Sequence, residues 1–570
     1  MRMHKRVQKS GGACSIAVAL ASIMALHTDV GAFEIPTGNE DVKINFDNTL
    51  RYTLAQRMRG QNKDILNSPQ NDDGDRNFDV GIVSSRLDLL TEFDVIYKKN
   101  YGIRLSGASW YDPIYRDSLD NKSNTSNHLV NGVPTVGLNK YTKDHFGGVD
   151  GELMDAFAFA KIQAGEVPIN VRAGRHTVYW GESFLPYGGA NGISAAQSPL
   201  DLGKALSMPG VELKEVFRPL NQVSAQVQPI PTLTIAGQHY LEWEPNAFPE
   251  SGSYLAFADP YLSGGESLWT PVGPIRNGGD IRPKNARDWG LSARWNPEWL
   301  EGTVGIYYRN FSDKLPQLLV DVSHAGPTTM PTYHLAYADN IDLYGISLAK
   351  NILGISVGAE ISYRQNMPLA SLSGIVVGAP GAPPVPGRGD TAGARGDTMH
   401  ALINFLGLLP KTPVSDAGSW LAEFTYSRWD RVSQGNDYFL GRNGYTGKDR
   451  VTRDAATAAL NFAPQWFQVF PGVDLTMPLS VASGIYGTSA IQGGGAKSNG
   501  SYSAGLSFDI FAKYKVDLTY ASFFGTYGTD VTGGIPGPGG AAPGAHTGAG
   551  DIFALLKDRD ILSLTLKATF

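Results

Sequence analysis

The chain has 570 residues, a net charge of −6, a single cysteine, 67 glycines and 25 tyrosines. Charged residues make up only 18% of it, against about 25% in soluble domains, and glycine runs well above the usual ~7%. This balance excludes a basic nucleic-acid binder, a disulfide scaffold and a disordered acidic tail, and it suits an all-β protein facing both water and lipid.

At the N-terminus, Arg2, Lys5, Arg6 and Lys9 precede an apolar stretch over 13–26, too short for a spanning helix of about 20 residues. Val30-Gly31-Ala32 supplies small residues at a cleavage point. Residues 1–32 therefore read as a secretory signal peptide and 33–570 as the mature chain. Cys14 lies inside the signal, which leaves the mature chain free of thiols, as an oxidising compartment favours. No later run of about 18 apolar residues exists, so any membrane crossing is made by strands.

The mature chain alternates apolar and polar residues with a period of two. Val42, Ile44, Phe46, Leu50 and Leu54 oppose Lys43, Asn45, Asp47, Thr49, Arg51 and Thr53. Leu87, Leu89 and Phe93 oppose Arg86, Asp88, Glu92 and Asp94; Ile103 and Leu105 oppose Arg104 and Ser106. The pattern returns around Ile361 and Tyr363 against Glu360 and Arg364, and around Tyr502, Leu506 and Phe508 against Ser503, Ser507 and Asp509. It is clearest at the end, where Leu562, Leu564, Leu566, Ala568 and Phe570 oppose Ser563, Thr565, Lys567 and Thr569. Such strands reach the 9–11 or so residues of a tilted membrane strand. The apolar face meets lipid and the polar face the lumen, because Arg or Lys at mid-bilayer costs about 2–4 kcal/mol. A last strand ending on an aromatic carboxy-terminal residue also matches the signal read by outer-membrane assembly machinery, which makes Phe570 the assembly-signal residue.

Connections alternate as well. Short links fall near 96–100, 164–167, 230–231, 297–301, 351–353, 407–418, 464–472 and 513. Long Gly-, Pro- and Asp-rich stretches lie at 59–78, 113–151, 181–221, 245–285, 312–339, 365–395, 430–451, 483–500 and 525–559. Short periplasmic turns and long outer loops are the barrel signature. The fold predicted is one all-β transmembrane antiparallel β-barrel over 33–570, with about 18 strands in a range of 16–20 and both termini on the periplasmic side. The low-complexity runs 374–396 and 532–550 read as mobile loop tips. The Arg-Gly-Asp tripeptides at 388–390 and 395–397 read as chance.

Specific residues then point to a family. Arg76-Asn77-Phe78 is followed by Ser85-Arg86-Leu87-Asp88 with Glu92, and Gly102-Ile103-Arg104 leads to Ser109-Trp110-Tyr111-Asp112. Gly174-Arg175 precedes Trp180-Gly181-Glu182-Ser183, Pro199-Leu200-Asp201 and Pro209-Gly210-Val211-Glu212. Asp342-Leu343-Tyr344-Gly345-Ile346-Ser347 and Glu360-Ile361-Ser362-Tyr363-Arg364 follow. On these blocks the mature chain resembles the outer-membrane family catalogued as domain of unknown function 1302. The resemblance implies an outer-membrane β-barrel linked to the handling of lipids, steroids, terpenes or other apolar compounds. It brings no catalytic or binding residues with it, and the insert at 374–396 is longer than the family pattern.

Three constellations carry alternative readings. The stretch 181–221 has few strand signals and is rich in aromatic and polar residues. It is either an infolded loop that narrows the pore or lines a ligand path, or an outer loop packed on its neighbours. The lumen-side charges, among them Arg51, Arg86, Arg172, Arg294 and Arg309, either set a field for permeants or pair with one another and stiffen the wall. Asp73, Asp75, Asn77 and Asp79 alternate as in a calcium loop. Phe78 and Ser84 stand where that loop needs glycine and an acidic ligand, so the segment reads as a polar loop entering a strand.

No nucleophile elbow, His-Glu-x-x-His or cofactor motif is present, so neither an enzyme nor a bound cofactor or metal is expected. The function expected is an outer-membrane channel or transporter, in a Gram-negative envelope, for a small apolar or amphipathic compound. A general polar porin and a non-transport structural or interaction barrel are the rival readings. Candidate pore and loop residues are Trp180, Glu182, Tyr187, Arg104, Arg364 and Glu360. Expected partners are outer-membrane lipid and lipopolysaccharide, the assembly machinery and a periplasmic lipid-transfer partner, with no nucleic acid.

Overall fold

A computed structural model describes residues 33–116, 119–123, 126–208, 215–270, 273–284, 287–447, 449–526, 528–529, 545–546 and 552–570. The signal-peptide reading of 1–32 and the block 209–212 lie outside the described residues. Eighteen antiparallel strands form the wall. They are β1 (Val42–Arg57), β2 (Gly81–Tyr97), β3 (Tyr101–Tyr111), β4 (Asp150–Ala164), β5 (Val167–His176) and β6 (Leu220–Ile230). There follow β7 (Leu233–Tyr240), β8 (Trp289–Trp295), β9 (Gly302–Phe311), β10 (Ile341–Ile352), β11 (Ile355–Pro368) and β12 (Arg395–Leu409). The last third comprises β13 (Ala417–Gln434), β14 (Asp454–Phe470), β15 (Val473–Thr476 continued by Leu479–Tyr486), β16 (Gly500–Ile510), β17 (Tyr514–Phe524) and β18 (Ile561–Thr569).

Each strand pairs with its neighbours in sequence, and β1 pairs with β18 from Thr49 opposite Thr569 to Arg57 opposite Ile561. The sheet is therefore a ring with no open edge, which is what a solvent without hydrogen-bond partners demands. The eight short connections fall at the eight places the sequence marks for turns, and the long ones between them carry the loops. β15 is interrupted at Met477-Pro478, where proline has no amide hydrogen to give the ladder.

The wall is inside-out by the standards of a soluble protein. Outward residues such as Ile346 and Ile361 are 60% exposed, whereas their inward neighbours Ser347, Glu360 and Ser362 are 2–4% exposed. Ile403 and Phe424 likewise stand out, while Asn404 and Glu423 are buried inside. Only lipid makes that arrangement favourable, since it removes the cost of exposing the apolar face. Aromatic rings mark both ends of the apolar band. Trp295 and Trp299 meet edge-on near a short turn, and Trp289, Tyr308 and Tyr344 form a row of tilted rings towards the loop end.

At the loop end the outer loops pack into a cap of their own. Ser267–Thr270, Gly273–Asn277, Thr332–Ala336, Gln317–Asp321 and Ile375–Val377 make a five-stranded sheet from three different loops. Beneath the cap, the buried Arg57 pairs with Asp75 at 2.6 Å, and Arg559 meets the same carboxylate at 3.2 Å, across the junction of first and last strands. The reading of 374–396 as a mobile tip is corrected here. Ile375, Val377 and Ala394 are fully buried against Leu319, Leu372 and Phe439. Glycine and proline shape the turns of this segment, and its few branched residues are enough to join a sheet that other loops supply. Arg395 and Asp397 of the second tripeptide are buried in β12. Of the run 532–550, only Ala545–His546 is described, paired with Gly528–Thr529.

Phe570 ends the chain at the short-turn side, where its backbone exchanges hydrogen bonds of 2.8 and 2.7 Å with Asn48. Its ring is 39% exposed and extends the outward face of β18. Trimming one such ring from a folded wall removes about 1–3 kcal/mol of burial, which a closed barrel survives. If Phe570 is read by the assembly machinery, deleting it lowers outer-membrane abundance strongly, while Phe508→Ala leaves it near wild type. Equal amounts of both variants in purified outer membranes would show Phe570 to be a wall residue only.

Candidate functional site

A closed sheet of eighteen strands encloses a lumen too wide for its own side chains to fill. Part of that space is taken by the chain that leaves β5. After His176 it runs against the inward faces of β9–β14, about a third of the ring. Trp180 is buried with Ile193, Tyr307, Leu343 and Met367 in an apolar cluster. Over 181–199 the described residues pair with no strand, so backbone N–H groups there need other acceptors.

Two wall carboxylates provide them. Glu360 on β11 accepts from the Glu182 and Ile193 amides, both at 2.7 Å, one at each oxygen. Glu423 on β13 accepts from the Phe184 amide at 2.6 Å, the Ser183 hydroxyl at 3.1 Å and the Leu185 amide at 3.4 Å. A carboxylate suits this task because each oxygen accepts more than one donor and its charge strengthens every bond. Arg364 donates to the Gly192 carbonyl at 2.9 Å, and Asn404 donates to the Glu182 carbonyl. Asn191 reaches Thr425 at 2.9 Å and His400 at 3.0 Å. Gly181, at φ +98°, lies so close to Glu360 that a Cβ would come within 2.8 Å of Oε2. Here glycine serves both the turn and the close approach.

The wall on the other side of the ring is different in kind. Arg51 on β1 and Arg86 on β2 both meet Asp88, at 3.4 and 2.7 Å. Arg104 on β3 meets Glu92, Asp94 at 3.0 Å and Asp155 at 3.4 Å. These groups keep between 14% and 34% of their side-chain surface open, so the network is wet. Further up, Arg175 joins Glu242 at 2.9 Å, and Arg218 joins Glu152 at 2.6 Å. His176 contacts Ser224 at 2.8 Å, but its other nitrogen meets the Gly174 carbonyl rather than a carboxylate.

The structure thus brings five of the candidate residues together. Trp180, Glu182 and Tyr187 lie on the inward segment, with Glu360 and Arg364 on the wall behind it. Tyr187 donates to the Asn499 carbonyl at 2.6 Å and packs on Phe553. Arg104 belongs to the opposite, charged wall, and Phe570 is remote from both. Glu423, Asn404 and Asn191 were not singled out from the sequence. The signal for Glu423 was present, as a lone acid beside the outward Phe424. Arg309, also inward, is fully buried over the rings of Tyr240 and Phe311.

The model of a family described as "Protein of unknown function (DUF1302)" matches residues 13–570. The chain belongs to the DUF1302 family. No curated protein matches it in sequence. Solved structures similar to this DUF1302 chain include Pseudomonas aeruginosa OpdK with vanillate, at 10% identity and TM-score 0.39, covering 93% of this chain and 99% of that one. Pseudomonas aeruginosa OccK9 (OpdG) gives 9% and 0.40, with 92% and 98% covered. Salmonella typhi OmpF in complex with daunomycin gives 8% and 0.36, with 94% and 100% covered. At these values the likeness says nothing of what this DUF1302 barrel admits.

If the carboxylates hold the inward segment, removing one should loosen it. Glu423→Ala leaves buried donors without an acceptor, about 1–3 kcal/mol for such a group, or roughly tenfold to a hundredfold in local opening. Leu185 is 3% exposed, and residues 33–570 contain no cysteine, so Leu185→Cys in a protein of those residues gives a clean reporter. It is expected to react slowly with a water-soluble thiol reagent, and at least tenfold faster when Glu423→Ala is added. Equal rates would show that apolar packing alone fixes the segment.

Proposed function

We propose that the protein is a passive outer-membrane channel for a small amphipathic compound. The observation that carries this reading is the contrast across the lumen. One side is the inward segment, with Phe184, Pro186 and Tyr187 keeping part of their surface open. The other side is the half-exposed row of Arg51, Arg86 and Arg104 with their carboxylates. A molecule with an apolar body and a polar or charged end can meet both at once, and neither wall alone would select it.

Each part of the proposal has its own support. A barrel with an apolar outer band, both ends of the chain at the short-turn side and a carboxy-terminal phenylalanine fits the outer membrane of a Gram-negative cell. An inward segment fastened to the wall narrows the path without closing the ring. The wet ion network would also serve a general polar porin, so the two readings differ in what the packed side contributes.

Flux into liposomes distinguishes them. Purified protein in vesicles is expected to pass small aromatic and aliphatic carboxylic acids several-fold faster than sugars of the same size. Sugar flux equal to that of the acids, together with a large steady ion current in planar bilayers, would make the protein a general porin. Vesicles tight to every solute would remove transport altogether.

A further inference from the structure

The first outer loop holds an acidic group that the barrel wall does not use. Asp72 and Asp73 stand at the start of the short helix Asp73–Arg76, and Asp259 begins the turn Asp259–Tyr261 in the fourth outer loop. One oxygen from each lies within 4.8 Å of the others, and all three residues are buried. The second outer loop orients two of them. Asn127 donates its backbone amide to Asp73 Oδ2 at 2.8 Å and its side-chain amide to Asp259 Oδ2 at 3.0 Å, while Ser126 adds 3.3 Å to Asp73 Oδ2. The remaining oxygen of Asp73, Oδ1, is sealed from solvent in a residue 3% exposed and accepts no hydrogen bond.

The local cations do not balance the group. Arg76 pairs with Asp72 and donates to the Leu66 carbonyl. Arg559 is committed to Asp75 and Asp558. Among the described residues, three carboxylates therefore face one another with the paired guanidinium of Arg76 beside them. A buried anionic oxygen without a donor is a costly arrangement unless something positive sits beside it.

We propose that Asp72, Asp73 and Asp259 bind a divalent cation, Ca2+ by preference, which clips the first outer loop to the fourth. The donors are all oxygen, as a hard cation requires. Two come from consecutive residues of a turn and the third from a distant loop, an irregular set that Ca2+ tolerates and that Mg2+, with its octahedral demand, does not. Waters or backbone carbonyls complete the shell. The sequence alternation beginning at Asp73, read as a polar loop, shares only that residue with this group; Asp75 is paired with Arg57 and Arg559, and Asp72 and Asp259 lie outside the alternation.

The test uses full-length mature protein refolded into detergent micelles, free of lipopolysaccharide, and stripped with chelator. Titration with CaCl2 is expected to give one Ca2+ per chain and a higher melting temperature. Asp73→Asn and Asp259→Asn should each weaken binding at least tenfold and lose the melting shift, while Asp79→Asn, an exposed acid of the same loop, keeps both. No stoichiometric uptake by the wild-type protein overturns the proposal, whether or not the variants fold. So does wild-type affinity in both folded Asn variants.

Discussion

Everything in this molecule depends on closing one hydrogen-bond ladder. In lipid a free strand edge has nothing to bond to, so Val42–Arg57 must find Ile561–Thr569 across more than five hundred residues of chain. Closure fixes an even number of strands for a chain whose ends share one side, and it turns the apolar faces outwards. It also creates a polar interior that no hydrophobic core fills. The buried Arg57, Asp75 and Arg559 cluster sits at that seam, so the loops that cap the barrel also lock its last joint.

The interior is then divided by how each charge is satisfied. Glu360 and Glu423 are buried and spend their oxygens on backbone amides, which anchors chain that would otherwise have no place in the lumen. The Arg104 group is half-open and satisfied by other ions. Partly exposed pairs of this kind contribute only ~0–1 kcal/mol each to stability. They balance one another on that wall. One wall of the ring thus anchors main chain, and the other pairs charge with charge.

The wall was legible in the sequence because its rule is local: alternation needs only the next residue, and turns announce themselves in two to five. The inward faces of Arg51, Arg104 and Glu360 followed from that rule. What those residues touch did not follow. Glu360 meets amides 167 and 178 residues away, and Asp73 meets an aspartate that no spacing motif reaches. The five-stranded cap was missed for a related reason. Ile375–Val377 is too short to show a period, and its composition is that of a loop until partners from two other loops are in place. β4 and β14, poor in alternation, hold their places through neighbours whose pattern is clear.

The way the inward segment is fastened has a consequence for how such a barrel can vary. Glu360 and Glu423 grip mostly main-chain amides, which every residue except proline possesses. Apart from Gly181, where space is short, Ser183, which lends its hydroxyl, and Leu185 and Ile193, whose side chains are buried, the grip imposes no side chain. Variation at Phe184 or Tyr187 can therefore reshape the passage without undoing the grip. The barrel keeps one fastening while the rest of its lining is free to drift.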